Sequence, residues 1–184
     1  MSGIVCLGWG SLVWDARDLP IEGGWNSDGP GLPLEFARQS GDDRMTLVIV
    51  NIEHHVPTLW AEMNVNSLAH AINALAAREG VQNPNAIGRW PNTTDRQYPL
   101  GQSIAEWAGR MGFSGVVWTA LQPGMKETRG TVPTLDELTA YIAKLDNDTR
   151  LRAKAYIDNA PVQIATPYRE VLARACEASW KEPS

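Results

Sequence analysis

Strand patterns and helix patterns occupy different ends of this 184-residue chain, and that segregation limits the folds open to it. Ile4 to Gly8 is a short apolar run closed by glycine, the pattern of a buried strand. Pro33 to Gln39 alternates in part, with Leu34 and Phe36 set against Glu35 and Arg38. After a Gly-Asp-Asp-Arg turn, Met45 to Asn51 runs apolar again, so the two segments read as a hairpin. Thr58 to Met63 and Gly115 to Leu121 add two more strands. The last third carries helix signals instead. Thr134 with Glu137 forms a capping box that opens a helix to about Leu145. Residues 148–158 make a second helix, and Thr166 followed by Pro167 starts a third, to about Trp180. Strands first and helices last is the order of an α+β fold, not of a βαβ repeat.

Between these ends lies one well-marked helix. From Ser67 to Glu79, Leu68, Ala71, Ile72, Leu75 and Ala76 recur at three- and four-residue intervals. Asn66 or Ser67 supplies the cap and Gly80 the stop. Ser103 with Glu106 reads as a second capping box, opening a short helix to about Met111. Two stretches read as irregular: residues 15–33, a loop or lid rich in Pro and Gly, and residues 81–102, broken by Pro84, Pro91 and Pro99.

The length suits a single domain over residues 1–184, able to fold without disulfide or structural metal. The net charge of −5, with no run of Lys or Arg, argues against a nucleic-acid partner. Cys6 and Cys176 lie far apart and fit a reducing compartment. No secretory leader is read at the N-terminus, and the longest apolar run, Met45 to Ile52, is too short to span a bilayer. A cytoplasmic protein without a membrane partner is the expectation; the oligomeric state is not readable.

Two features carry chemistry. The first is Gly8-Trp9-Gly10-Ser11-Leu12, where a strand ends in a glycine loop. Glycines permit positive φ and let a ligand approach the main chain. Successive N–H groups in such a turn make a cavity for an anion or a developing oxyanion. Without a third glycine and a following helix, it is no dinucleotide fingerprint. The second feature is Glu79. It lies four, three and four residues along from Leu68, Ile72 and Leu75, on the apolar stripe, while Arg78 is turned about 100° away. It also closes the helix, where the macrodipole disfavours negative charge. Burial and dipole both push a carboxyl upward, toward the range that suits a proton carrier near neutral pH.

The glycine loop resembles the Tyr-Gly-Ser loop of the γ-glutamylcyclotransferases and their glutathione-degrading relatives. The segment Trp60-Ala61-Glu62-Met63-Asn64, the helix, and Leu75-Ala76-Ala77-Arg78-Glu79-Gly80-Val81 are similar to that family's strand, helix and Glu-Gly element, in the same order. The resemblance covers roughly residues 3–81. It implies a small, mostly antiparallel barrel or curled sheet with flanking helices, extended here by a helical C-terminal third. It implies cyclisation of a γ-glutamyl group to 5-oxoproline with release of an amine. In that reaction Glu79 would be the general acid/base, and Gly8, Trp9, Gly10, Ser11 and Leu12 would bind the small-molecule γ-glutamyl substrate. Trp9 stands where the family has Tyr, and the family's Tyr-bearing strand after Glu-Gly is replaced by an Asn- and Pro-broken stretch. A second reading is therefore a catalytically inactive ligand-binding or regulatory module of the same fold.

The other polar candidates read as structural. His54-His55 would point to opposite sides of a strand, and no ligand set at metal spacing or cofactor motif is read. Cys6 lies in an apolar strand and reads as a small core residue. Glu53 and Glu62 are rival acids; Glu62 precedes the helix and is expected near the same cavity. Arg169 and Arg174 read as a solvated face. Trp9, Trp14, Trp25, Trp60 and Trp90 are candidates for a pocket lining or for core.

Overall fold

The computed structural model describes residues 3–178, which form two compact units of mixed α and β structure. The first takes the described residues up to Leu32 together with Pro57–Leu121, and the second takes Pro33–Val56 with the described residues from Gln122 onward. Strands of two residues, β3 (Gly31–Leu32) and β6 (Val56–Pro57), stand where the chain passes from one unit to the other.

The first unit is built on β1 (Ile4–Gly8), β2 (Ile21–Asn26), β7 (Leu59–Met63), β8 (Ile87–Trp90) and β9 (Gly115–Thr119), in the sheet order β2-β7-β1-β9-β8. Every neighbouring pair is antiparallel except β1 with β9. Alternation along the strands sorts the side chains. Cys6, opposite Ala61 and beside Val117, faces helix α1 (Leu68–Glu79) and packs with Ala71, Ile72 and Leu75. Trp60, one residue before Ala61, points to the other face and meets Trp107 of helix α2 (Gly101–Met111) and Phe113.

This sheet is open, with β2 and β8 as its edges, so the expected barrel does not close. The physical reason is coverage. The parallel pairing of β1 and β9 requires a long crossover, which carries α1 over one face while α2 covers the other. Both β2 and β8 fall in stretches read from sequence as irregular. β2 holds Gly23 and Gly24, is mostly exposed and breaks register between Glu22 and Asn26. β8 is four residues between an Asn- and Pro-rich turn and Pro91. α1 has the expected bounds. The Ser67 hydroxyl accepts the His70 N–H, and Gly80 closes the helix at φ 65°. α2 departs from expectation. Leu100 precedes it in the left-handed region without a side-chain cap, and the Ser103–Glu106 box does not form. Glu106 accepts from Gln102 instead.

The second unit pairs a hairpin with three helices. Strands β4 (Leu34–Gln39) and β5 (Met45–Ile49) are antiparallel, with a register shift between Phe36 and Arg38. Helices α3 (Leu135–Ile142), α4 (Asn147–Asn159) and α5 (Arg169–Ala178) follow. Phe36 meets the ring of Tyr156 edge-on at 6.2 Å between centroids. The Thr134–Glu137 capping box forms as read, though α3 stops at Ile142. α5 starts at Arg169, two residues later than the Thr166-Pro167 signal, because the Thr166 hydroxyl bonds Glu35. Its expected end at Trp180 lies outside the described residues. Arg169 is no solvated face. Its guanidinium donates to the carbonyls of Pro161, Ile164, Ile157 and Ala160, tying the start of α5 to the end of α4. Among the described residues no helix is long and apolar enough to cross a membrane.

Candidate functional site

The site lies in the first unit, where β1 ends and α1 ends. β1 delivers Gly8, and the Trp25 ring lies close against it: a Cβ built there would meet the ring at 2.5 Å. Gly8 does not adopt positive φ. Glycine is required here by close approach, not by the left-handed backbone that the loop reading invoked. Trp9 is only 4% exposed, so its indole is core and its edge offers little to a ligand. Leu12 joins Cys6 and Leu19 in the cluster beneath α1.

After Trp9 the chain makes a single helical turn. The Gly10 carbonyl accepts the Val13 N–H at 2.9 Å, and the Ser11 carbonyl accepts the Asp15 N–H at 2.8 Å. With the carbonyls so engaged, the amides of Gly10, Ser11 and Leu12 donate to no acceptor among the described residues. Three successive donors at the start of a helical turn, adjacent to a glycine, form a place for an anionic oxygen.

Glu79 ends α1 on the same side. Its side chain is 17% exposed, so it neither frays into water nor sinks fully into the core. Arg78 is the more buried of the two, at 6%. Its Nη1 lies 2.7 Å from Oε1 of Glu79, and its Nη2 donates to the Asp15 carbonyl at 2.5 Å and to the Ser11 hydroxyl at 3.3 Å. One guanidinium therefore joins the helix-end acid to the glycine loop. Oε2 of Glu79 has no partner among the described residues. Cys6 lies under this pair. Burial pushes its thiol well above the ordinary range, the Glu79 charge adds to that, and the Arg78 charge opposes it. A thiol held protonated is a poor nucleophile, so Cys6 stays a core residue.

The rest of the candidates separate. Glu62 is exposed on the sheet face away from α1, opposite in sense to Ala61 and Met63, and does not join Glu79. Trp25 backs the loop through Gly8, whereas Trp60 belongs to the aromatic cluster under α2. Arg78 is the residue that sequence reasoning missed. Its offset from the apolar stripe argues for solvent, and what buries it is a loop 63 to 67 positions earlier in the chain. No local pattern carries that signal.

No family model matches this chain, and no curated protein matches it. Among solved structures it is similar to a γ-glutamyl cyclotransferase specific to glutathione from yeast, at 13% identity. That alignment covers 96% of this chain and 99% of the other, with a TM-score of 0.46.

Proposed function

We propose that the protein is a γ-glutamylcyclotransferase-type enzyme, which closes a γ-glutamyl group to 5-oxoproline and releases an amine or amino acid. The observation that carries this reading is the pairing of an enclosed carboxylate with three unused loop amides. Among the described residues Glu79 keeps one oxygen without a partner, and Arg78 links the other to Ser11 beside the free N–H groups of Gly10, Ser11 and Leu12.

The reaction needs little more than this. The substrate's own α-amine attacks its γ-carbonyl, so no protein nucleophile is required, which suits the inert Cys6. Folding the substrate so that amine and carbonyl meet converts the attack into a positioned intramolecular step. Glu79 takes the proton from the attacking amine as the new C–N bond forms. It returns that proton to the leaving nitrogen as the old amide C–N bond breaks, so the enzyme ends unchanged. The loop amides hold the substrate carboxylate or the oxyanion of the tetrahedral intermediate.

A second reading is a ligand-binding module without catalysis. Trp9 favours it, because a buried indole in the loop has no hydroxyl to offer. The two readings part in one experiment. Incubation with a panel of γ-glutamyl dipeptides, γ-glutamylamines and glutathione, followed by assay of 5-oxoproline, gives product if the enzyme reading holds. Saturable binding of one of them with no 5-oxoproline means the module reading is right.

A further inference from the structure

We infer that Arg78 is a positioning residue that sets both halves of the candidate site at once: it makes Ser11 a hydrogen-bond donor toward the ligand and leaves Glu79 a single proton-carrying oxygen. The inference rests on the reading of Glu79 and the loop given above, and it gives a role of its own to the residue that joins them.

A guanidinium has only donors. Where Nη2 donates to the Ser11 Oγ at 3.3 Å, that oxygen must accept, so the hydroxyl hydrogen points away from the guanidinium and is left for a ligand at the loop. Where Nη1 donates to Oε1 of Glu79 at 2.7 Å, that oxygen is the charge-paired one, and Oε2 is left to exchange a proton. The bond to the Asp15 carbonyl fixes the turn that carries the free amides. The planar fork reaches all three acceptors with the side chain 6% exposed, so little water competes. Adjacent residues on a helix seldom meet. Here they do because both sit in the last turn, next to the left-handed Gly80. An ammonium is a single point donor at the end of a flexible stem and cannot span acid and loop together.

The test uses the full-length protein and the variants R78K and R78M, with 5-oxoproline release followed across the γ-glutamyl panel and hydrogen–deuterium exchange measured in parallel. R78M should lower kcat by about 100-fold and raise KM by about 10-fold. R78K should recover kcat to within about 10-fold, because the ammonium still pairs with Glu79, while KM stays raised because the loop is released. A residue with a merely structural role would not divide kcat from KM in this way. Exchange over residues 9–16 should quicken by about 10-fold or more in both variants, with α4 unchanged as the control for folding. Wild-type kcat in R78M, or equal kinetic losses in R78K and R78M, overturns the inference. If the wild-type protein releases no 5-oxoproline from any substrate, the enzyme reading falls, and exchange alone decides this one. Faster exchange over residues 9–16 in both variants supports the tether, and unchanged exchange there overturns it.

Discussion

The Thr166 hydroxyl donates to Oε1 of Glu35 across 2.6 Å, so a strand carboxylate holds the turn that leads into α5. The Tyr168 N–H donates to Oε2 at 3.0 Å and the Phe36 N–H to Oε1 at 2.8 Å. Glu35 is 2% exposed, the more buried acid, yet both of its oxygens are spent on the protein. Glu79 has one oxygen bound and the other without a partner among the described residues. The two buried acids thus differ in whether an oxygen is left for a ligand.

Glu35 should make the second unit respond to pH. Burial pushes its carboxyl upward, and the bonds from Thr166, Phe36 and Tyr168, with the nearby His54, only partly offset that. A raised native value means that the folded state holds the proton more tightly than the unfolded chain. The stabilisation is then complete below the unfolded carboxyl value of 4.5 and is lost as pH rises through the raised native one. In E35Q the amide has an NH2 where Tyr168 needs an acceptor, which costs about 1–3 kcal/mol at any pH. Urea unfolding from about pH 4 to about pH 8 should show wild type ahead, with its lead narrowing as pH rises. A lead that widens over that range contradicts the account.

Gly8 should not tolerate even a methyl group. The Cβ of G8A would come within 2.5 Å of the Trp25 ring and 3.1 Å of Val13, so the indole must move. Overpacking of this kind costs about 1–3 kcal/mol. Thermal unfolding should report the loss, with a change in Trp fluorescence. A melting temperature equal to wild type would mean that Trp25 does not sit on Gly8.

Cys6 should behave as an apolar atom. Its thiol is fully enclosed and held protonated by burial and by the Glu79 charge. In the native protein it should not react with a thiol-directed disulfide reagent, and unfolding in denaturant should release it. C6A should keep 5-oxoproline release within about threefold of wild type, since only a small core volume changes. Rapid modification of native Cys6 would contradict an enclosed floor beneath Arg78 and Glu79.

Much of the fold is legible in the sequence where a local pattern and its tertiary use coincide. α1 is the clear case. Its stripe, its Ser67 cap and its Gly80 stop are all local, and packing on Cys6, Met63 and Val117 uses the same stripe. β2 and β8 were hidden because their strand state comes from pairing with β7 and β9 rather than from composition. The Thr166 cap and the Ser103–Glu106 box failed for separate reasons. Glu35 engages the Thr166 hydroxyl, and α2 already starts at Gly101 after a left-handed Leu100, so Ser103 lies inside the helix and not at its cap. In the site, Glu79 and the loop were visible as separate motifs. Their connection was not, because it runs through a side chain whose contacts lie more than 60 positions away.

The most direct measurement is 5-oxoproline release by wild type and E79Q across the γ-glutamyl panel. The amide of Gln can still accept from Arg78 through its oxygen, so the helix end and the loop stay joined. The NH2 that replaces Oε2 cannot take up the proton of the attacking amine. The account predicts product from wild type with at least one substrate, and a loss of about 100-fold or more in E79Q with an unchanged circular dichroism spectrum. Release by E79Q at the wild-type rate, or no release by wild type from any member of the panel, contradicts it.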